Sequence, residues 1–342
     1  MNQIYSKFLS TGIAIALLLI PTIAMAQGHM VVANRASGTI SVIDLATDTP
    51  TTVSMPAGTY SGEPMYVAFS ATYNRVFVGD RANDQVVVFD ADDFTVETTV
   101  PAGTGVFHMW AADNVDQLWV NNDIDNTITI IDTVTLDVIT TTAAPADLVA
   151  MGGKLHDVII DPQQPFAYAT MLGIAGAFDY VVKYSTETFL EVGRQAVGQD
   201  PHLSLARNNN LLYVPCQNSN EVFVLDRTSL DIQTMVAVPS AHGAAMARNG
   251  KTFYTTNIAG GGLDGLAEID TRTNTVVDSI DTPAAVPHNI ALTPNGKKVY
   301  VTHSGATNDV VSVYARQNKN VPLQHAGTVT VGLNPFGIFY VP

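Results

Sequence analysis

The stretch Pro287–His303, PHNIALTPNGKKVYVTH, predicts two short β-strands joined by a tight turn. Side chains from His288 to Leu292 alternate in character, which is the periodicity of a strand. Asn295 and Gly296 follow, and both residue types tolerate the positive φ angles of a tight turn. The returning segment, KVYVTH, is rich in β-branched and aromatic residues, which favour strands. The stretch is therefore interpreted as a hairpin, and the rest of the chain repeats it.

Seven copies of this unit follow one another at intervals of roughly 40–50 residues, the length of one blade of a β-propeller. The second strand of the successive copies ends at Asn34, Asp80, Asn122, Met171, Cys216, Asn257 and His303. The third strand ends in aspartate in five copies, at Asp44, Asp90, Asp132, Asp226 and Asp270. In the fourth and seventh copies, Ser185 and Ala315 occupy that position. The repeat covers nearly all of the chain after its N-terminal segment.

Each copy contains four short strands, which in the second copy are predicted at Pro64–Ser70, Arg75–Asp80, Gln85–Asp90 and 95–100. No amphipathic helical run of useful length is present after the N-terminal segment. We therefore predict an all-β fold, a seven-bladed β-propeller with four antiparallel strands per blade. Residues 334–342 match only the first strand of a copy, and the first copy lacks that strand. The C-terminal strand is thus expected to close blade one of a single domain, residues 27–342.

The N-terminal segment, residues 1–26, has the pattern of a signal peptide. Lys7 precedes an apolar run at residues 12–20, and Ala24-Met25-Ala26 forms a small-x-small cleavage site. The run is too short to span a membrane. The sequence thus predicts a Sec-exported protein, periplasmic or secreted, with no membrane insertion after cleavage.

The net charge excludes two classes of binding partner, and the cysteine content excludes stabilisation by an internal disulfide. The formal net charge is −15, which opposes binding to nucleic acid or anionic lipid. The single cysteine, Cys216, excludes an internal disulfide, so stability is expected to come from the core.

Several motifs resemble the YVTN family of seven-bladed propellers. They are VYVTH at the end of the hairpin quoted above, LYVPC ending at Cys216, VVANRASGTISVID ending at Asp44, and the openings PHNI and PFGI. The resemblance covers essentially residues 28–342 and implies a seven-bladed propeller. It leaves the function open, because this architecture is shared by lactonases, dehydrogenase subunits, surface proteins and binding scaffolds.

Aligning the first strands places one residue of each blade at an equivalent position. These residues are Met65, His108, His156, His202, His242, His288 and Phe336. The first strand of a blade lines the central channel, so five histidines are expected to encircle one end of it. The ends of the second strands should lie beside them. There Met171, Cys216 and His303 replace the small polar residue usual in YVTN repeats.

Imidazole, thiolate and thioether are together the ligands that copper prefers, and imidazole also suits iron and zinc. The ring is similar to the axial copper sites on the propellers of nitrous oxide reductase and the copper thiocyanate dehydrogenases. That likeness extends only to axial histidine ligation, since no cupredoxin domain is present. We predict copper as the bound metal, with iron and zinc as alternatives. The predicted ligands are His108, His156, His202, His242, His288, His303 and Cys216.

The carboxylates Asp157 and Asp200 are placed to orient these imidazoles. The function expected from the ring is redox chemistry on a small molecule, with a periplasmic protein as the other kind of partner. Three alternatives remain: a structural ring in a non-catalytic binding scaffold, a periplasmic metal carrier, and a lactonase-like hydrolase. The sequence identifies no catalytic residue.

Overall fold

The computed structural model describes residues 28–206, 209–318 and 321–342, which form seven four-stranded antiparallel sheets. The predicted signal peptide, residues 1–26, lies outside the described residues. Within the described ranges, no helix is long and apolar enough to cross a bilayer. The predicted fold class, a seven-bladed propeller with four strands per blade, is confirmed.

Blade one joins the two ends of the described chain. Its strands are β1 (His29–Asn34), β2 (Thr39–Asp44), β3 (Thr49–Ser54) and the C-terminal β28 (Pro335–Val341). The innermost strand is β28, and it pairs antiparallel with β1. The predicted closure of the ring by the C-terminal strand is therefore confirmed, and it leaves no unpaired inner edge.

The other blades follow in chain order, each with its first strand innermost. Blades two to four contain β4 (Pro64–Ser70), β5 (Arg75–Asp80), β6 (Gln85–Asp90), β7 (Val96–Pro101), β8 (Val106–Ala112), β9 (Gln117–Asn122), β10 (Thr127–Asp132), β11 (Val138–Ala143), β12 (Lys154–Ile160), β13 (Phe166–Leu172), β14 (Asp179–Ser185) and β15 (Glu191–Val197). Three strands of blade two match their predicted bounds, and the fourth begins one residue later.

Blades five to seven complete the ring. They contain β16 (Ser204–Leu205), β17 (Leu211–Cys216), β18 (Glu221–Asp226), β19 (Ile232–Ala237), β20 (Ala241–Met246), β21 (Thr252–Asn257), β22 (Leu266–Asp270), β23 (Thr275–Ile280), β24 (Pro287–Leu292), β25 (Lys298–His303), β26 (Val310–Ala315) and β27 (Gln324–Thr330). The helical elements of the described chain are short: α1 (Ala146–Ala150) and the 3₁₀ turns Arg81–Asn83 and Gln217–Ser219.

The hydrophobic core lies between neighbouring sheets. Each pair of adjacent blades shares one cluster of buried apolar side chains. Between blades three and four, for example, Trp119 packs with Met171, and both are fully buried. Because each sheet buries both faces against its neighbours, the middle strands are almost continuously apolar rather than alternating.

The repeated aspartate at the end of the third strand stabilises the turn to the fourth strand. In blade one, Oδ1 of Asp44 accepts hydrogen bonds from the backbone N–H groups of Ala46 and Thr47, both at 2.9 Å. Asp132 and Asp226 make the same pair of bonds in their blades. These aspartates are therefore turn-forming residues, because their side chains satisfy the amides that leave the sheet.

Candidate metal centre

The inner strands contain a β-bulge at the end of the channel where the histidines lie. In blade seven, Pro287 pairs with His303 and Ile290 with Val301, so two residues oppose one on the neighbouring strand. Six of the seven inner strands have this bulge, and only blade five keeps a continuous register. A bulge changes the direction of side chains at the rim of a sheet. In the six bulged blades, two successive residues thus share the place of one residue of a regular strand.

The bulges correct one part of the sequence alignment. The first bulge residue is Met65, Phe107, His156, His242, His288 or Phe336 in its respective blade. His108 is the second residue of its bulge, one place later than the alignment assumed. Sequence comparison of blades cannot resolve this shift, because both bulge residues replace one residue of a regular strand. The second bulge residues are Tyr66, His108, Asp157, Gly243, Asn289 and Gly337.

Threonine hydroxyls connect the bulges of neighbouring blades. The hydroxyl of Thr256 accepts a hydrogen bond from the Gly243 N–H at 2.8 Å and donates one to the carbonyl oxygen of His288 at 2.9 Å. Thr302 makes the same two contacts, accepting from Asn289 N–H and donating to the carbonyl oxygen of Phe336. Each bulge is thereby held against the next blade, which determines the spacing of the ring.

The five histidines form a continuous arc. The distances between ring centroids are 5.0 Å for His108–His156, 4.6 Å for His156–His202, 3.9 Å for His202–His242 and 4.6 Å for His242–His288. In His108, His156 and His202, one ring nitrogen each lies within 4.8 Å of the other two. The Nε2 atoms of His156 and His202 are 3.4 Å apart. The structure therefore brings these three together as a group of potential ligands.

Polar neighbours orient the imidazoles. Oδ1 of Asp157 lies 2.8 Å from Nδ1 of His108, and Oε1 of Gln217 lies 2.7 Å from Nδ1 of His242. The Nε2 atoms of both histidines are buried and have no hydrogen-bond partner. Buried nitrogens without a partner are costly unless something binds them. In each of these two rings, Nδ1 is therefore held by a polar neighbour, and Nε2 is available as a ligand atom.

The arc is largely removed from water. Burial lowers the pKa values of His156, His202 and His242 well below the ordinary value, with neighbouring histidines adding to the effect. Burial also lowers the pKa of His288 to about 3. The pKa of Asp200 is raised to about 6, first by burial and then by Asp179. Neutral imidazole is the form that binds metals, so these four rings are in the binding form at neutral pH.

Aromatic side chains close the remainder of the ring. Tyr66 stacks on His108 with centroids 3.6 Å apart, and Phe336 lies 4.1 Å from His288. The ring centroid of Phe107 lies 5.2 Å from that of His156 and 6.1 Å from that of Phe336. The channel end thus has a histidine side and an apolar side. Sequence reasoning missed Tyr66, Phe107 and Asn289, which can be identified as bulge residues once the register is known. It also missed Gln217, which lies in the 3₁₀ turn after β17 and contacts His242 of the next blade.

Four of the seven sequence-predicted ligands lie outside the group of three: His242 and His288 continue the arc, while His303 and Cys216 have other neighbours. His303 has both ring nitrogens occupied, by the carbonyl oxygen of Ala285 at 3.1 Å and the hydroxyl of Ser312 at 2.9 Å. Cys216 is fully buried, and its Sγ lies 3.4 Å from the carbonyl oxygen of Val214. Burial raises the pKa of the Cys216 thiol well above its usual range. Both side chains therefore have neighbours within the protein that account for their burial without a metal.

Comparisons with known proteins assign the chain to a family. The family model for "Lactonase, 7-bladed beta-propeller" matches residues 22–244. No curated protein matches the sequence significantly. The YVTN resemblance therefore remains a prediction.

Several solved structures share the fold. Hydrazine synthase of Kuenenia stuttgartiensis is 14% identical with a TM-score of 0.69, and the match covers 89% of this chain and 99% of that chain. The periplasmic gluconolactonase PpgL of Pseudomonas aeruginosa is 17% identical with a TM-score of 0.71, covering 92% and 99%. A protein from Lactobacillus plantarum is 17% identical with a TM-score of 0.72, covering 92% and 100%. At these sequence identities the likeness shows a shared fold and does not indicate a shared function. The family match covers more than half of the sequence, and the chain belongs to the seven-bladed β-propeller lactonase family.

Proposed function

We propose that this propeller binds one copper ion on its axis through His108, His156 and His202. The observation that carries the proposal is the meeting of three imidazole nitrogens within 4.8 Å, with the Nε2 of His108 buried and without a partner. Nitrogen ligands about 2.0 Å from a tetrahedral ion lie roughly 3.3 Å apart. The 3.4 Å between Nε2 of His156 and Nε2 of His202 already fits that spacing.

Copper is favoured among the divalent metals because nitrogen ligand sets bind it most tightly in the first transition row. Asp157 supports ligation by His108, since a carboxylate on the far nitrogen fixes the tautomer and orientation of a ligating imidazole. Iron and zinc are the alternatives that an all-imidazole set also accommodates. The low pKa values of His156 and His202 supply neutral ligands without displacement of protons.

The activity proposed for this centre is oxidation or reduction of a small molecule. An ion held by these three residues would leave room for a small substrate, and copper would supply one-electron chemistry, with an external electron-carrier protein as the electron partner. The predicted signal peptide and the likeness to a protein named as periplasmic support a location outside the cytoplasm. A metal carrier that passes copper to an acceptor would use the same three ligands.

Metal analysis of the protein purified without chelators tests the proposal. We expect one copper per chain and an electron paramagnetic resonance spectrum with nitrogen hyperfine structure. The triple variant His108→Ala/His156→Ala/His202→Ala is expected to lose both. His325→Ala is the matched control, because His325 lies on the outer strand β27 and is exposed. A wild-type protein that neither contains nor takes up metal would overturn the proposal.

The family match favours a second function, lactone hydrolysis. His108 and Asp157 have the geometry of a general-base pair, because Asp157 holds Nδ1 and leaves Nε2 of His108 free. In such a reaction a water molecule attacks the ester carbonyl and gives its proton to Nε2. The ring C–O bond then breaks, and the leaving oxygen takes up the proton. Acid release from gluconolactone by metal-free protein, lost in His108→Ala, would establish this function over copper chemistry.

A further inference from the structure

Most of the large apolar side chains that are exposed on loops of the described chain lie on the face of the propeller that bears the histidine ring. On this face, which we term the ring face, Leu263 is 69% exposed, Tyr60 66%, Ile124 58% and Phe178 57%. Met151 and Leu333 are also exposed there. Loops of the opposite face expose Val134 and Leu190. Scattered exposed apolar residues are ordinary, but a concentration around one opening marks an interaction surface.

The topology of the blades places these residues together. The loops between second and third strands, and those that lead into the next inner strand, all lie at the end where the inner strands begin. Backbone hydrogen bonds connect such loops directly, from Ala175 N–H to Met151 O and from Ala36 N–H to Leu333 O. Four of the five histidines lie one or two residues into their inner strands, and His202 lies two residues before β16. All five are therefore near this rim.

The charge on the ring face is predominantly negative. Its arginines are already paired, Arg35 with Glu63 at 2.7 Å and Arg81 with Asp123 at 2.8 Å. The exposed acidic residues of this face include Asp125, Asp264 and Asp281. Lys154, at the start of β12, is an exposed basic residue of the ring face. The opposite face exposes the basic residues Arg248, Lys251 and Lys297 and also acidic residues such as Asp92 and Asp137, so its charges are more mixed.

We propose that the ring face is the docking surface for a basic, soluble protein with an apolar centre to its contact region. The acidic rim would attract positive charge and accelerate association, while the exposed aromatic and aliphatic side chains would supply the contact area. Two ring faces would repel each other, which opposes a symmetric pair of this chain. Such a partner would sit directly above the buried histidines. The proposal concerns a contact surface and stands whether or not a metal is bound.

Binding to a small basic c-type cytochrome, with its lysine-succinylated form as control, tests the proposal. We expect saturable binding of the unmodified cytochrome that weakens with salt, and no binding of the succinylated form. The variant Phe178→Ser/Leu263→Ser should weaken binding roughly tenfold or more. Val134→Ser/Leu190→Ser, the matched pair on the opposite face, should leave the dissociation constant unchanged.

Carbodiimide cross-linking with mass spectrometry locates the contact independently of affinity. We expect cross-links from Asp125, Asp264 and Asp281, and none from Asp92 or Asp137 on the opposite face. Cross-links shared equally between the two faces would overturn the proposal. So would equal effects of the two serine pairs. Cross-links between copies of this chain, from the ring face of one to the lysines of another, would replace the basic partner with head-to-tail self-association.

Discussion

Nδ1 of His108 lies 2.8 Å from Oδ1 of Asp157, although the two residues belong to neighbouring blades. Both are second bulge residues, and the equivalent strand positions bring them side by side across the blade boundary. Asp157 itself is held by the backbone N–H groups of Val158 at 2.7 Å and Leu203 at 2.8 Å. One carboxylate thus joins three consecutive blades and orients an imidazole at the axis.

The first prediction concerns this carboxylate. Asp157→Asn should weaken copper binding roughly 10- to 100-fold, the usual effect of removing a carboxylate that orients a ligating histidine. The measurement is competition with a chelator of known affinity, accompanied by circular dichroism to verify the fold. Asp147→Asn, an exposed carboxylate in α1, is the control. An unchanged affinity in Asp157→Asn would show that His108 does not ligate the ion.

The second prediction concerns Gly243, which packs against the neighbouring blade. A Cβ at this position would overlap the carbonyl oxygen of His288, so Gly243→Ala must displace one blade against the next. Overpacking of this kind costs about 1–3 kcal/mol or more of the free energy of unfolding. Urea unfolding of the metal-free protein measures it. Gly193→Ala is the control, because no atom lies within 4 Å of its added Cβ. Equal stabilities of the two variants would contradict the close approach.

The third prediction concerns pH. His288 has a pKa of about 3 in the folded chain because it is buried, whereas an unfolded histidine has a pKa near 6.5. Below pH 6.5 this histidine is therefore protonated in the unfolded chain but stays neutral in the folded chain. The free energy of unfolding decreases as the pH is lowered. The loss approaches about 1.4 kcal/mol per pH unit between 6.5 and 3. In His288→Phe the free energy of unfolding should decrease less steeply over this range.

Urea titrations of metal-free protein at a series of pH values give the slopes for this comparison. His325→Phe is the control, since His325 is exposed on the outer strand. The slope of His288→Phe should be shallower than that of this control. A His288→Phe protein with the wild-type slope would show that His288 does not remain neutral in the folded chain.

The fourth prediction compares two adjacent threonines. Thr256→Val removes the hydroxyl that joins Gly243 N–H to the carbonyl oxygen of His288, leaving both buried groups unsatisfied. Each unsatisfied group costs about 1–3 kcal/mol. Thr255 is equally buried, but its hydroxyl has no hydrogen-bond partner, so Thr255→Val should be neutral or stabilising. Unfolding free energies, together with faster hydrogen exchange at the Gly243 amide in Thr256→Val only, distinguish the two outcomes.

Much of the architecture was predictable from local patterns. The repeated aspartates Asp44, Asp132 and Asp226 mark the turns because the side chain bonds amides two and three residues away. The unmatched strand at the C-terminus predicted the pairing of β28 with β1, because an open propeller would expose two sheet edges. Each pattern is weak by itself, but the same pattern recurs in seven copies of the repeat. The seven copies together therefore predict the fold.

The candidate site was predictable only to the level of a histidine-rich end of the channel. His303 and Cys216 looked equivalent to ligands by position, yet hydrogen bonds to Ala285 and Ser312 occupy His303, and burial holds the Cys216 thiol protonated. The bulge at Phe107-His108 moved His108 by one place, and with it the partner of Asp157.

The sequence by itself determined the number of blades, their strands and the convergence of histidines, because these depend on residue order within each repeat. Only the tertiary structure decided which nitrogens meet. Contacts such as that between His156 and His202 cross blade boundaries, and their distances depend on bulge register and blade spacing. Those quantities arise from packing of residues about 46 positions apart, which no pattern within one repeat records.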